Sequence, residues 1–175
     1  NGKPDEGKLY KLNIRTGKCS VLLDPAGGSA RDPQLDYDGR KMLFSYRKAG
    51  AHNYHLYEMG VDGAGLRQLT YGEFDDFEPT YLPGGEILFV STRCRRWVSC
   101  WKTHVGIMHR CDSKGGNIRP VSCNIEHDNT PWMLPDGRVL YMRWEYVDRS
   151  QMDFHHLWAM FPDGTGQAIV YGNQS

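Results

Sequence analysis

Residues 73–90 read EFDDFEPTYLPGGEILFV. An acidic approach leads to a pre-proline residue, a short strand, a Pro-Gly-Gly turn and an apolar strand. The same phrase occurs three times. Asp32-Pro33 precedes Asp38-Gly39 and Met42-Leu43-Phe44. Glu78-Pro79 precedes Gly84-Gly85 and Ile87-Leu88-Phe89. Thr130-Pro131 precedes Asp136-Gly137 and Val139-Leu140-Tyr141. Each phrase is followed by a second hairpin, turned at Asp62-Gly63, at Asp112 to Gly116 and at Asp163-Gly164. The unit is therefore four short strands, a to d, recurring at intervals of roughly 50 residues, a period near that of propeller blades.

The period and turn chemistry predict an all-β fold, a β-propeller of four-stranded antiparallel blades with about three and a half blades in this chain. The divisions are a half blade over 1–28 and full blades over 29–72, 73–123 and 124–175. The half blade supplies strands c and d. Its strands a and b are expected from the remainder of the propeller or from another chain that completes the ring.

Composition narrows the function classes. The chain has 175 residues, with 21 basic and 21 acidic side chains and no net charge. That balance argues against nucleic acid as a partner. No apolar run has the length of a membrane helix. There is no phosphate loop, nucleophile elbow or HExxH, so no catalytic residues are assigned.

Strand order sorts the connections onto two rims. The a–b and c–d turns are short and economical. The approaches to strand a and the b–c connections share the other rim, and they are long, charged and aromatic. Binding sites favour such loops on a rigid scaffold. Arg93, Arg95, Trp97, Trp101, Arg143, Trp144 and Glu145 are the expected contacts for a protein or small ligand. Asp75, Asp76 and Glu78 match Glu126, His127 and Asp128 in position. Asp75, Asp76, Glu78, His127 and Asp128 are candidate ligands for calcium or a transition metal. The plainer alternative is hydrogen bonding to backbone amides where the chain enters the blade.

The five cysteines form no CxxC or CxxCH. Cys94 and Cys100 fall in one long connection. A disulfide there would pin the loop and imply an exported protein; the alternative is five reduced thiols. His155 and His156 are strand neighbours and point to opposite faces.

The DP…DG…LF opening and the segments HLYEMGVDGAGLRQLT (55–70) and HLWAMFPDGTGQ (156–167) resemble the TolB-type, WD-like propeller repeat. A narrower resemblance, carried by FVSTRC, PDGRVLYMRWEYVD and HLWAMFPDGTGQ, is to the propeller of hydrazine synthase alpha subunit-like proteins. Their second cysteine shortly after STRC is matched by Cys100. The resemblance implies a periplasmic or extracellular bacterial protein. It also raises a redox subunit holding haem or metal, with Cys94 or Cys100 in attachment, as the alternative to a non-catalytic binding or scaffold module.

Overall fold

The computed structural model describes residues 6–146 and 155–172, and every regular element in them is a strand. Two strands form a hairpin, β1 (Leu9–Leu12) and β2 (Cys19–Leu23). Three four-stranded antiparallel sheets follow. The first orders β3 (Ser29–Leu35), β4 (Lys41–Arg47), β5 (His55–Gly60) and β6 (Arg67–Gln68). The second orders β7 (Asp76–Tyr81), β8 (Ile87–Ser91), β9 (Ile107–Cys111) and β10 (Arg119–Pro120). The third orders β11 (Asp128–Met133), β12 (Val139–Trp144), β13 (His155–Met160) and β14 (Ala168–Tyr171). Each sheet is a meander in chain order, as the repeat predicts. Residues 147–153 of the last b–c connection, and Phe154 at the predicted start of strand c, lie outside the described residues.

The chain divides into two compact units, Asn1–Pro79 and Thr80–Ser175. In the first, Leu9 and Ala30 pack with Met42, Phe44, Tyr57 and Met59. In the second, Leu82, Leu88 and Met108 pack with Val139, Tyr141 and Met160. Strand b is buried on both faces in β4 and β8, which explains its unbroken apolar runs.

The three pre-proline residues share one backbone feature. Asp32, Glu78 and Thr130 have φ of 56°, 50° and 52°. The ladder slips at this point, between Arg31 and Gln34 in β3 and between Asn129 and Trp132 in β11. Both slips are bulges on the edge strand of a sheet, where the following proline removes no ladder donor. The left-handed conformation costs a non-glycine residue on the order of 1–3 kcal/mol. At Asp32 a carboxylate contact offsets part of this, since Oδ2 accepts from Ser45 Oγ at 2.9 Å and from the Glu78 amide at 3.3 Å.

Three strands are shorter than their sequence patterns suggest. Strand d is only Arg67–Gln68 in the first full blade and Arg119–Pro120 in the second. Strand c of the second blade starts at Ile107 instead of His104, because His104 bridges Trp97 inside the preceding loop.

Candidate functional site

The approaches to strand a perform the same backbone task in every blade. Four residues before the prolines stand Ser29, Asp75 and His127. Ser29 Oγ accepts the Gly7 amide at 3.1 Å, Asp75 Oδ1 the Tyr54 amide at 2.9 Å, and His127 Nδ1 the Gly106 amide at 3.0 Å. The next residue's amide returns the bond. Ala30 N donates to Gly7 O at 2.8 Å, Asp76 N to Tyr54 O at 2.8 Å, and Asp128 N to Gly106 O at 3.0 Å. A hydroxyl, a carboxylate and an imidazole thus fill one role. Each staples the chain ahead of strand c to the start of the next blade's strand a. Asp75→Ala is expected to lower stability by about 1 kcal/mol, read as a lower urea midpoint. Asp75→Ser should restore most of it, and equal loss in both variants would refute the acceptor role.

In this geometry most of the candidate metal ligands of the acidic approaches make other bonds. Asp75 is spent on an amide. Asp76 is fully buried, 3.7 Å from His55 Nδ1. The Glu78 amide is bound to Asp32 and Ser45. His127 Nδ1 is occupied by Gly106, and Asp128 faces a guanidinium. Among the described residues, no three His, Cys, Asp or Glu side chains converge as a metal-ligand group. The Asp75 carboxylate takes a backbone donor and the Asp128 carboxylate an arginine, in line with the hydrogen-bonding alternative open from the sequence.

Arg143, Trp144 and Glu145 were expected on the open rim, and the structure buries the first two. β12 extends through Trp144, so the first two belong to a strand. Arg143 is 8% exposed. Its Nε donates to Asp128 Oδ1 at 2.8 Å, and its Nη2 to Asp128 Oδ2 at 3.2 Å and Gln167 Oε1 at 2.8 Å. The guanidinium also lies 4.6 Å from the Trp158 ring centroid. Burial disfavours its charge, but the Asp128 carboxylate more than offsets this and holds its pKa above the usual arginine value. Trp144 is buried between two imidazoles, with centroids 5.7 Å from His127 and 5.8 Å from His155. Desolvation pushes both histidines below their ordinary pKa. For His127 the Glu126 and Asp128 carboxylates oppose that shift, and for His155 the neighbouring His156 adds to it. Glu145 Oε2 lies 3.2 Å from His156 Nδ1.

The loop 93–105 remains on display. It folds as a small hairpin, with Trp97 bridging His104, Val98 N donating to Thr103 O at 2.9 Å and Val105 N donating to Arg96 O at 2.8 Å. Its inward side chains, Cys94, Val98 and Val105, pack with Ile107, Trp144 and Tyr146. Arg95 takes a φ of 53° where the loop leaves β8. Two polar ties hold the loop down. Arg96 Nη2 donates to Asn124 O, and Ser99 Oγ donates to fully buried Glu126 at 2.8 Å. Asn124 is a hub, its Nδ2 reaching His127 O, Asp128 Oδ1 and Trp144 O. Sequence reading did not weigh Ser99 or Asn124, because single polar residues in a loop carry no periodic signal. Outward, Trp97 is 59% and Trp101 76% exposed, and the Trp97 ring stacks on His104 at 3.9 Å.

The Cys94–Cys100 disulfide expected from the sequence is not formed. All five cysteines are free. Cys94 turns inward, where its Sγ donates to Val105 O at 3.2 Å. Cys100 is exposed near the loop tip and hydrogen-bonds Tyr146, whose phenol is pushed up by burial first and then by Cys100. The hairpin's own bonds give the two thiols different directions.

No protein-family model matches the chain. Its sequence is 24% identical to hydrazine synthase subunit alpha of Kuenenia stuttgartiensis, in an alignment of 191 residues covering 79% of this chain and 23% of that protein. Kuenenia stuttgartiensis hydrazine synthase is also similar in structure, with a TM-score of 0.79 at 19% identity over 97% of this chain and 28% of that one. A structure assigned as TolB from Agrobacterium tumefaciens gives 0.73 at 19% identity, over 94% and 56%. TolB from Acinetobacter baumannii gives 0.67 at 16%, over 93% and 37%. The chain therefore spans about a quarter of the hydrazine synthase subunit it resembles. The fold is a TolB-like β-propeller built of four-stranded antiparallel blades, related to that of hydrazine synthase alpha.

Proposed function

We propose that this chain is the binding part of an exported bacterial propeller protein, and that the loop 93–105 is its contact surface. The supporting observation is the exposure of Trp97 and Trp101 on a hairpin whose base is packed and hydrogen-bonded. Large apolar side chains held rigidly in water are how a surface presents a partner site. Arg93, Arg95, Arg96 and Lys102 lie in the same loop, which has no acidic residue, although the whole chain is neutral. The partner's complementary face is therefore anionic. Trp97→Ala and Trp101→Ala are expected to change stability by less than about 0.5 kcal/mol. A photo-crosslinking phenylalanine at position 101 of the full-length protein, expressed in its native host, should give one discrete adduct. The same residue at Tyr37, in an a–b turn, should give none. Adducts at 37 and none at 97 or 101 would overturn the assignment.

A second reading is a redox subunit, favoured by the sequence similarity to hydrazine synthase alpha. The residues present do not form a haem attachment: the chain has no CxxCH, and Cys94 is occupied in the loop base. A Soret band in the full-length protein purified from its host would put this reading first; a flat visible spectrum would leave the binding module.

A further inference from the structure

The loop 93–105 ends in a projecting tip. Ser99 to His104 are all exposed, while Val98 and Val105 on either side of them are buried. Trp101 stands in this run and Trp97 just before it. A third apolar side chain joins them. Ile125 is 66% exposed, and its neighbours Asn124 and Glu126 receive the two ties from Arg96 and Ser99. The ties hold Ile125 beside the hairpin.

The charge around these groups has one sign. Arg95 and Lys102 are exposed, and the loop has no acidic residue. Glu126, the carboxylate that meets the loop at Ser99, is fully buried. The backbone of the tip is also closed on itself. The amides of Val98, Ser99, Trp101, Thr103 and Val105 all have acceptors within the fold. Backbone groups already paired can leave bulk water at little cost.

Sites for small molecules are concave, and this tip projects. A protein partner has to supply a pocket shaped for each indole. The headgroup layer of a bilayer needs no matching shape. Tryptophan settles there through its amphipathic ring, and arginine and lysine meet anionic headgroups.

We propose that the loop 93–105, together with Ile125, docks on an anionic phospholipid surface. Trp97, Trp101 and Ile125 enter the headgroup layer, and Arg95 and Lys102 pair with lipid phosphates. The inference rests on the loop being the contact surface of the protein, and it names the partner.

The test uses the full-length protein and vesicles of phosphatidylcholine with phosphatidylglycerol. Binding should shift tryptophan emission to the blue and weaken as salt is added. Vesicles of phosphatidylcholine alone should bind at least about tenfold more weakly. Trp101→Ala should weaken binding by about tenfold and Lys102→Gln by roughly fivefold, with the melting temperature unchanged in both. The photo-adduct at position 101 should carry the mass of a phospholipid. Equal binding to the two kinds of vesicle, or binding unchanged in both variants, would overturn the proposal. A protein adduct at position 101 without vesicle binding would overturn the lipid partner and leave the contact surface standing. Neither vesicle binding nor an adduct at 101 would overturn both.

Discussion

Arg143→Met is expected to destabilise the protein by about 3–5 kcal/mol, the cost of leaving a buried charge without its partner. Asp128 is fully buried, and the Arg143 guanidinium meets both of its carboxylate oxygens. Methionine replaces much of the stem volume and none of the charge. The carboxylate would then keep only the Asn124 amide at 3.3 Å. Urea unfolding followed by tryptophan fluorescence should show a lower midpoint. The double variant Arg143→Met, Asp128→Leu should recover most of the loss, because an apolar pair of similar volume often replaces a buried ion pair at little cost. If the single variant lost less than about 1 kcal/mol, Arg143 would be a solvated rim residue after all, as its position in the sequence suggested.

The misreading of Arg143 has a physical source. Twelve residues after the three prolines stand Ser45, Ser91 and Arg143. In the first two blades this position holds a small buried hydroxyl. In the third it holds a long cation, and the string RWEYVD reads as the start of a polar loop. Alternation along a strand is legible in sequence, but the charge at its end is not placed until the partner is known. Asp128 supplies that partner from the neighbouring strand, in direct register with Arg143. The blades themselves were legible because Pro, Asp-Gly and the apolar triplets repeat as short local signals. The staple was half legible. The sequence put the cluster holding Asp75 and the run holding His127 at matching places, yet a serine, an aspartate and a histidine share no property but an acceptor atom. Cys94 and Cys100 misled for a related reason: proximity in sequence carries no information about side-chain direction within a hairpin.

The histidine version of the staple makes stability depend on pH in a way the other two do not. Gly106 N–H donates to His127 Nδ1, so the ring is neutral with its proton on Nε2. Desolvation, chiefly, holds its pKa below the ordinary histidine value of about 6.5; His155 lowers it further, and Glu126 and Asp128 pull the other way without prevailing. His155, whose ring also stacks with Trp144, is shifted in the same direction. Well above pH 6.5, from about pH 7.5, neither the folded nor the unfolded chain binds a proton at these rings, and stability is at its plateau. Below it the unfolded chain takes up protons that the folded chain refuses, so stability falls with pH until the folded rings titrate as well. The slope cannot exceed about 1.4 kcal/mol per pH unit for each histidine. Urea midpoints between pH 8 and 5.5, a range in which exposed carboxylates stay ionised, should therefore decline below pH 6.5. His127→Asn keeps an acceptor for Gly106 N–H and removes one titration. It should flatten the decline by about half while costing some stability at pH 8 through the lost stacking on Trp144. A profile in His127→Asn parallel to that of the unaltered chain would show that His127 is not the group being protonated. A wholly flat profile in the unaltered chain would show that neither ring is desolvated enough to matter.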